Sequence, residues 1–297
     1  MQKLLISALA IFFVASCQSN SGNSDEEKNT PNVIHVDFWN GNRSEIRQKY
    51  ELEVLEAILS TTATDFGPYE IKESLEEYPG AEEALVFSEK KHHLFVTIAG
   101  NKKFTEEDMI VVDKPLAKNL LGYRIPIIRS EDAAAFSGMQ KEAAIKALTT
   151  GIPVTWSDAT IFRHNGYQVS EEGDFNDIFE RLASGRFDYT AFGANEVQSI
   201  FKNRAAQFNT LTIEVNHILF YPFPLVFYIN PNMPELAKRI DIGLQDIIDS
   251  GQLDTIFKSY YGNLVESLNL NQRRLFELEN PLIPDAFSDL KPDLSGL

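Results

Sequence analysis

The chain has 297 residues, enough for one large domain or two modest ones. Its 43% hydrophobic and 24% charged content are ordinary for a globular protein. A formal net charge of −16 argues against nucleic acid as a partner, because the phosphates would be repelled at long range.

The chain opens with "MQK" and the apolar run "LLISALAIFFVA", which has signal-peptide length and is too short to span a membrane. It ends in "VASC", Val14 to Cys17, small residues directly before a cysteine. This resembles the lipobox of bacterial lipoproteins. The resemblance implies a signal peptide over residues 1–16, cleavage before Cys17, and lipid attachment to that cysteine as a membrane anchor. Cys17 is the only cysteine, so a lipidated chain has no disulfide, no thiol nucleophile and no thiolate metal site. Residues 17–32 are polar and read as a disordered tether.

From Val33 onward, strand and helix patterns alternate. "VIHVDFW" reads as a strand. Ser44 is a candidate N-cap for a helix to about Ser60, with Tyr50, Val54, Leu55, Ile58 and Leu59 on one face. A strand near Tyr69–Glu73, a helix from about Gly80 to Lys90 and the strand "HLFVTIA" follow. "LLGYRIPIIR", Leu121 to Arg129, is extended, and Pro126 places it at a sheet edge or an interdomain crossing. Next come a helix around Lys141–Leu148, the strand "IPVTW" and a helix starting near Ser157 or Asp158. A helix over Phe175–Ala183 stops at Gly185, followed by the strand "RFDYTAF" and a helix over Asn195–Lys202. "HILFYPFPLVFYIN" is apolar and bent by two prolines, which suits a strand passing between two bodies. "PELAKRIDIGLQDIIDSG" is the clearest helix, with Pro234 in its first turn and Leu236, Ile240, Leu244, Ile247 and Ile248 in one stripe. The short helix "LDTIFKSYYG" stops at Gly262, and the tail ending in "PLIPDAFSDLKPDLSGL" reads as loosely packed. The alternation gives an α/β fold class, and no glycine-rich phosphate loop is present.

"GDFNDIFERLASGRFDYTAFGANEV" and "NPNMPELAKRIDIGLQDIIDSGQLDTIFKSYYG" are similar to segments of family 3 periplasmic solute-binding proteins. "LLGYRIPIIR", "WSDATIFRHNGY" and "LFYPFPLVFYIN" resemble a divergent branch of that family, the transporter substrate-binding domain proteins. The resemblance implies a two-lobed periplasmic-binding-protein type II-like fold with two crossing hinge strands. Residues 33–129 and the return 216–262 would form lobe 1, residues 130–215 lobe 2, and residues 263–297 a C-terminal extension. It also implies a small polar solute held in the interlobe cleft, amino acid-like or an organic acid, and an ABC-type permease as partner. The whole would be a monomer of the bacterial cell envelope, lipid-anchored and facing the periplasm or the cell surface. An envelope sensor or a protein-binding lipoprotein is the alternative reading.

In such folds ligands bind outside the carboxyl ends of the strands. That rule selects Trp39 as an aromatic wall or core filler, and Arg43 as a carboxylate partner or a solvated cation. It selects the backbone of Ala99 and Gly100, and Trp156, Ser157 and Asp158 at a helix start, where Asp158 caps the helix or contacts ligand. Arg124 and Tyr221 fall near the crossings, and Phe192 and Glu196 at the end of "RFDYTAF". Asp188 lies at the opposite end of that strand and reads as scaffold. The family's amino-acid binders carry an arginine where this chain has Glu107 or Asp108, which puts an α-amino-acid ligand in doubt. The branch compared often has arginine at the place of Phe192, which suggests a ligand less dependent on an anionic group. His35, His92, His93, His164 and His217 form no metal-binding motif. No catalytic residue, metal or cofactor is assigned, and a dehydratase-like enzyme is the weakest reading.

Overall fold

The computed structural model describes residues 33–295, so the expectations for residues 1–32, including Cys17, lie outside the described residues. The first strands are β1 (Ile34–Trp39), β2 (Tyr69–Ser74), β3 (Leu94–Ile98), β4 (Ile110–Val112), β5 (Tyr123–Arg129) and β6 (Thr149–Ile152). The rest are β7 (Gln168–Glu171), β8 (Tyr189–Gly193), β9 (Leu211–Ile213), β10 (His217–Phe220), β11 (Leu225–Ile229) and β12 (Arg274–Glu277).

Among the described residues these strands build two sheets. The first has the order β2-β1-β3-β11-β4, with β1 parallel to β2 and β3, and β11 antiparallel to β3 and β4. The second runs β12-β10-β5-β8-β6-β7, with β9 also on β5. The two-residue period of a strand sorts the first sheet's side chains onto opposite faces. Val36, Phe38, Leu94, Val96 and Phe227 join the main core, where the Glu45–Thr61 and Pro234–Asp249 helices supply Tyr50, Val54, Ile58, Ile240 and Leu244. Trp39, Phe95, Val226 and Tyr228 pack on the other side with Tyr78, Phe87, Phe104 and Phe287. The two helices lie close enough that a Cβ on Gly243 would fall 2.7 Å from the carbonyl oxygen of Ile58. Arg239 is fully buried in that contact and donates to the Thr62 hydroxyl and the Leu59 carbonyl at the C-terminal end of the Glu45–Thr61 helix, and to the carbonyl of Gly67 beyond it.

Several local expectations give way to tertiary structure. Residues from Gly80 form only a short 3-10 turn to Leu85. The strand expected over "IPVTW" ends at Ile152, because Pro153 has no N–H and Thr155 takes a φ of 73°. Ser44 stands at the N-cap position but its hydroxyl makes no capping bond. Pro126 is not at an edge: β5 runs inside the second sheet, between β8 and the pair β9 and β10. The Pro126 carbonyl accepts the Glu214 amide, which lies between β9 and β10. The N–H and C=O of one strand residue point the same way, so the missing donor faces a gap in the ladder.

Two short segments cross between the sheets, residues 113–122 and 221–224, and they are bonded to each other; the long helical stretch 230–273 leads from β11 to β12 in the second sheet. Tyr221 N–H donates to Gly122 O at 3.2 Å, and Phe223 N–H to Asn119 Oδ1 at 2.7 Å. The tail is ordered where it was expected to pack loosely. β12 adds to the second sheet parallel to β10, and Leu278, Asn280 and Phe287 are all buried.

Candidate functional site

Trp39 and Gly193, at the carboxyl ends of β1 and β8, lead into the residues that join the two sheets. Arg43 lies just before the Glu45–Thr61 helix, with Arg47 and Glu51 on its first two turns. Glu196 follows β8 and forms the start of the short Val197–Ile200 helix. Arg47 Nη1 reaches Glu196 Oε2 at 3.5 Å, so an ion pair spans the two lobes. Arg47 also holds Glu51 through two nitrogens, at 2.8 and 2.9 Å.

Arg43 is not the solvated cation considered above. Its guanidinium stacks 4.9 Å over the Trp39 ring, donates to Val96 O at 2.7 Å, and lies 3.9 Å from Glu51. Burial pulls its pKa down and the neighbouring Arg47 pulls it further, against the opposing carboxylates. Burial also opposes the charge of Arg47, but Glu51 and Glu196 outweigh it and raise its pKa. Burial raises the Glu51 carboxyl, and Arg47 and Arg43 offset only part of the effect. Trp39 is wholly buried, donates to Glu76 O and stacks on Tyr78, so it fills the core and backs Arg43.

A second group sits beside the crossings. Arg124 Nη2 meets Asp158 Oδ1 at 2.7 Å, and the Tyr221 hydroxyl donates to the same oxygen at 2.6 Å. Arg124 donates further to the carbonyls of Leu121 and Ala191. Asp158 therefore does not cap its helix, and the Ser157–His164 helix has no side-chain cap. Burial raises the Tyr221 hydroxyl pKa strongly, with the Asp158 charge adding to it and the Arg124 charge opposing it. Arg124 feels Glu196 and Arg47 as well, so the two groups form one electrostatic neighbourhood. Glu83, paired with Lys103, also acts on Arg43. The four cations Arg43, Arg47, Lys103 and Arg124 thus face the four carboxylates Glu51, Glu83, Asp158 and Glu196.

Several polar atoms here are buried without a hydrogen bond: Arg43 Nε and Glu51 Oε2, which face each other at 3.9 Å, Ser44 Oγ, Arg124 Nε and both side-chain polar atoms of Asn195. Such atoms are costly, and they mark places where a polar group from outside has something to gain.

The remaining expected residues lie apart from this cluster. Phe192 faces the lobe 2 core, fully buried against Phe175, Phe179 and Trp156, because its β8 position points to the side packed by the Ile178–Ala183 helix. Trp156 stacks on Phe175 in the same aromatic group, and Ser157 is buried at the helix start. Ala99 is buried, its N–H donating to Pro224 O. Gly100 is covered by the tail, and a Cβ there would collide with the Leu282 carbonyl. Asp188 is scaffold: it accepts the Thr149 amide at 2.8 Å and lies 3.5 Å from Arg129. Arg47, Glu51 and Asn195 were not selected from the sequence, although Arg47 and Glu51 stand four apart on a helix that starts at a strand's carboxyl end. Surface depressions of about 480 and 300 Å³ lie elsewhere, around Tyr69 and Glu53 and around Pro115 and Phe257. Among the described residues no cluster of His, Cys, Asp or Glu could hold a metal, and no helix is long and apolar enough to cross a membrane.

No family model matches the sequence, and no curated protein matches it. Solved structures do. An arginine transport periplasmic binding protein from Legionella pneumophila superposes with a TM-score of 0.56 at 10% identity, over 76% of this chain and 99% of that one. An ancestral arginine-binding protein bound to arginine gives a TM-score of 0.52 at 14% identity, over 76% and 98%. A histidine kinase sensor domain similar to periplasmic binding proteins gives 0.54 at 14% identity, over 77% and 96%. The fold is therefore the two-lobed, type II-like fold of the periplasmic binding proteins. Each neighbour is matched nearly whole, while about a quarter of this chain has no counterpart in it.

Proposed function

We propose that this chain is a solute-binding lipoprotein of the bacterial envelope, anchored through Cys17, that captures a small polar solute between its lobes for an ABC-type transporter. The observation that carries the reading is the interlobe cluster around Arg43, Arg47, Glu51, Asn195 and Glu196, with its buried polar atoms that make no hydrogen bond. Charges there are balanced, so a net-neutral polar solute enters without leaving a buried charge unpaired. Glu196 releases Arg47 when the lobes open, and the solute's polar groups take up the freed partners. The lipid anchor raises the effective concentration of the carrier near a permease.

Thermal-shift screening with amino acids, short peptides, organic acids and sugars tests this. A true ligand at a hundred times its Kd adds about 2.7 kcal/mol of stability. The shift should disappear in Arg47→Met, which keeps the stem and loses the charge. If no compound of these classes shifts the protein, solute capture is the wrong function. The likeness to a histidine kinase sensor domain favours envelope sensing as the second reading, in which the same cleft reports the solute to a partner protein.

A further inference from the structure

We infer that the C-terminal tail is a strap that holds the two lobes together, acting as a further connection beside the two short crossings. Its course is visible residue by residue. β12 completes the second sheet by pairing in parallel with β10 over four residues. Leu278 N–H then continues that ladder to Phe220 O at 2.7 Å. Asn280 is buried and donates to Pro222 O at 2.8 Å, so the tail runs alongside the second crossing. Its own Oδ1 accepts the Leu282 amide, which turns the chain toward lobe 1. There the Leu282 carbonyl lies against Gly100, at the carboxyl end of β3. Phe287 ends the span as an anchor, buried in the aromatic cluster beside Trp39 and Tyr228. Beyond it, the Asp293 N–H donates to the Tyr123 hydroxyl at 2.6 Å, which returns the tail to the start of β5.

A hinge opens by changing φ and ψ at a few residues in its crossings while the lobes move as bodies. A tail fixed to both lobes resists that motion, because opening must draw Phe287 out of its pocket or strip β12 from β10. Each is a cooperative loss of buried contacts. The strap therefore favours the closed arrangement with no solute present, and opening becomes a local unfolding event of the tail. This does not rest on what the cleft binds.

Hydrogen–deuterium exchange on the full chain tests the strap, with Phe287→Ala removing the anchor and Asn280→Ala removing the bond beside the crossing. The amides of Ala194 and Glu196 at the lobe interface, and of Tyr221 and Phe223 in the crossing, should exchange at least tenfold faster in both variants. Those of Ile240 and Leu244, deep in lobe 1, should keep their protection. Unchanged exchange at the interface and crossing overturns the strap. So does a uniform loss that includes Ile240 and Leu244, which would make the tail merely part of the general core. Asn280→Ala removes little packing, so it decides the matter even if Phe287→Ala does not fold.

Discussion

Replacing Asp158 with alanine strips the one carboxylate from the buried group beside the crossings. The Arg124 guanidinium is 2% exposed and would keep only two backbone carbonyls, those of Leu121 and Ala191. The Tyr221 hydroxyl, fully buried, would lose its acceptor. Breaking a buried pair by removing one partner costs about 3–5 kcal/mol, and the surviving carbonyls put this case near the lower end. Asp158→Asn keeps an acceptor for Tyr221 while losing the charge, so its cost should be smaller, about 1.5–3 kcal/mol. Tyr221→Phe removes a single neutral donor and should cost about 1 kcal/mol. Urea titration gives the midpoint and the slope, and the slope shows whether a shift reflects stability alone. In thermal melts a protein of this size moves by roughly 2 °C per kcal/mol, so Asp158→Ala should melt about 6–10 °C lower. An Asp158→Ala protein within about 1 kcal/mol of the parent, or an asparagine variant worse than the alanine one, would refute the claim that this ion pair holds the junction.

Asp188→Asn loses a charge-assisted bond from the Thr149 amide, and since the side chain is part-exposed the stability loss should be about 1 kcal/mol with solute affinity unchanged. Phe192→Arg drives a cation into the Phe175, Phe179 and Trp156 cluster, so circular dichroism should show a loss of folded protein rather than a change of ligand preference. The tail's anchorage in lobe 2 depends on pH from both sides. Burial works against a charged His217, but Glu214 raises its pKa above the ordinary 6.5, so this stability is complete below that value and is lost as pH rises through the folded pKa. Burial works against ionised Glu214, but bonds from His217 and Asn216 depress its pKa below 4.5, so that stability is present above 4.5 and is lost as pH falls through the folded pKa. Melting curves across pH should therefore decline on each side of a plateau, and His217→Gln should flatten the alkaline decline and lessen the acid one, because the His217 side chain is part of what holds the Glu214 pKa down.

Long, periodic segments announce themselves, as the helix from Pro234 does: its proline in the first turn and its apolar stripe are local facts. Asp188 was also readable, because its place at a strand's first residues excludes it from the ligand end. Strands of three or four residues, such as β4, β7, β9 and β12, are too short to carry a period and exist through their partners. The carboxyl-end rule named Phe192 because it fixes position along a strand, not the face on which a side chain falls. Arg43 and Glu196 were in reach of that rule, but the bridge from Arg47 to Glu196 joins residues 149 positions apart and leaves no local trace. The tail misled for a related reason. Its prolines and acids look like a loose end, while a few spaced anchors, Leu278, Asn280 and Phe287, decide its path.

The placement of β12 also governs when the molecule can finish folding. During synthesis the chain appears from its N-terminus, and domains form as their parts emerge. Here β11, the strand between β3 and β4 in the first sheet, arrives only at Leu225–Ile229, and β12, the partner of β10, only at Arg274–Glu277. Until those residues appear, β4 has no partner in its sheet and one side of β10 stays unpaired. Pairings this distant in sequence form slowly. A nascent chain of this design therefore leaves its first sheet incomplete until β11 has been made and its second until β12 has been made, well after the strands they complete.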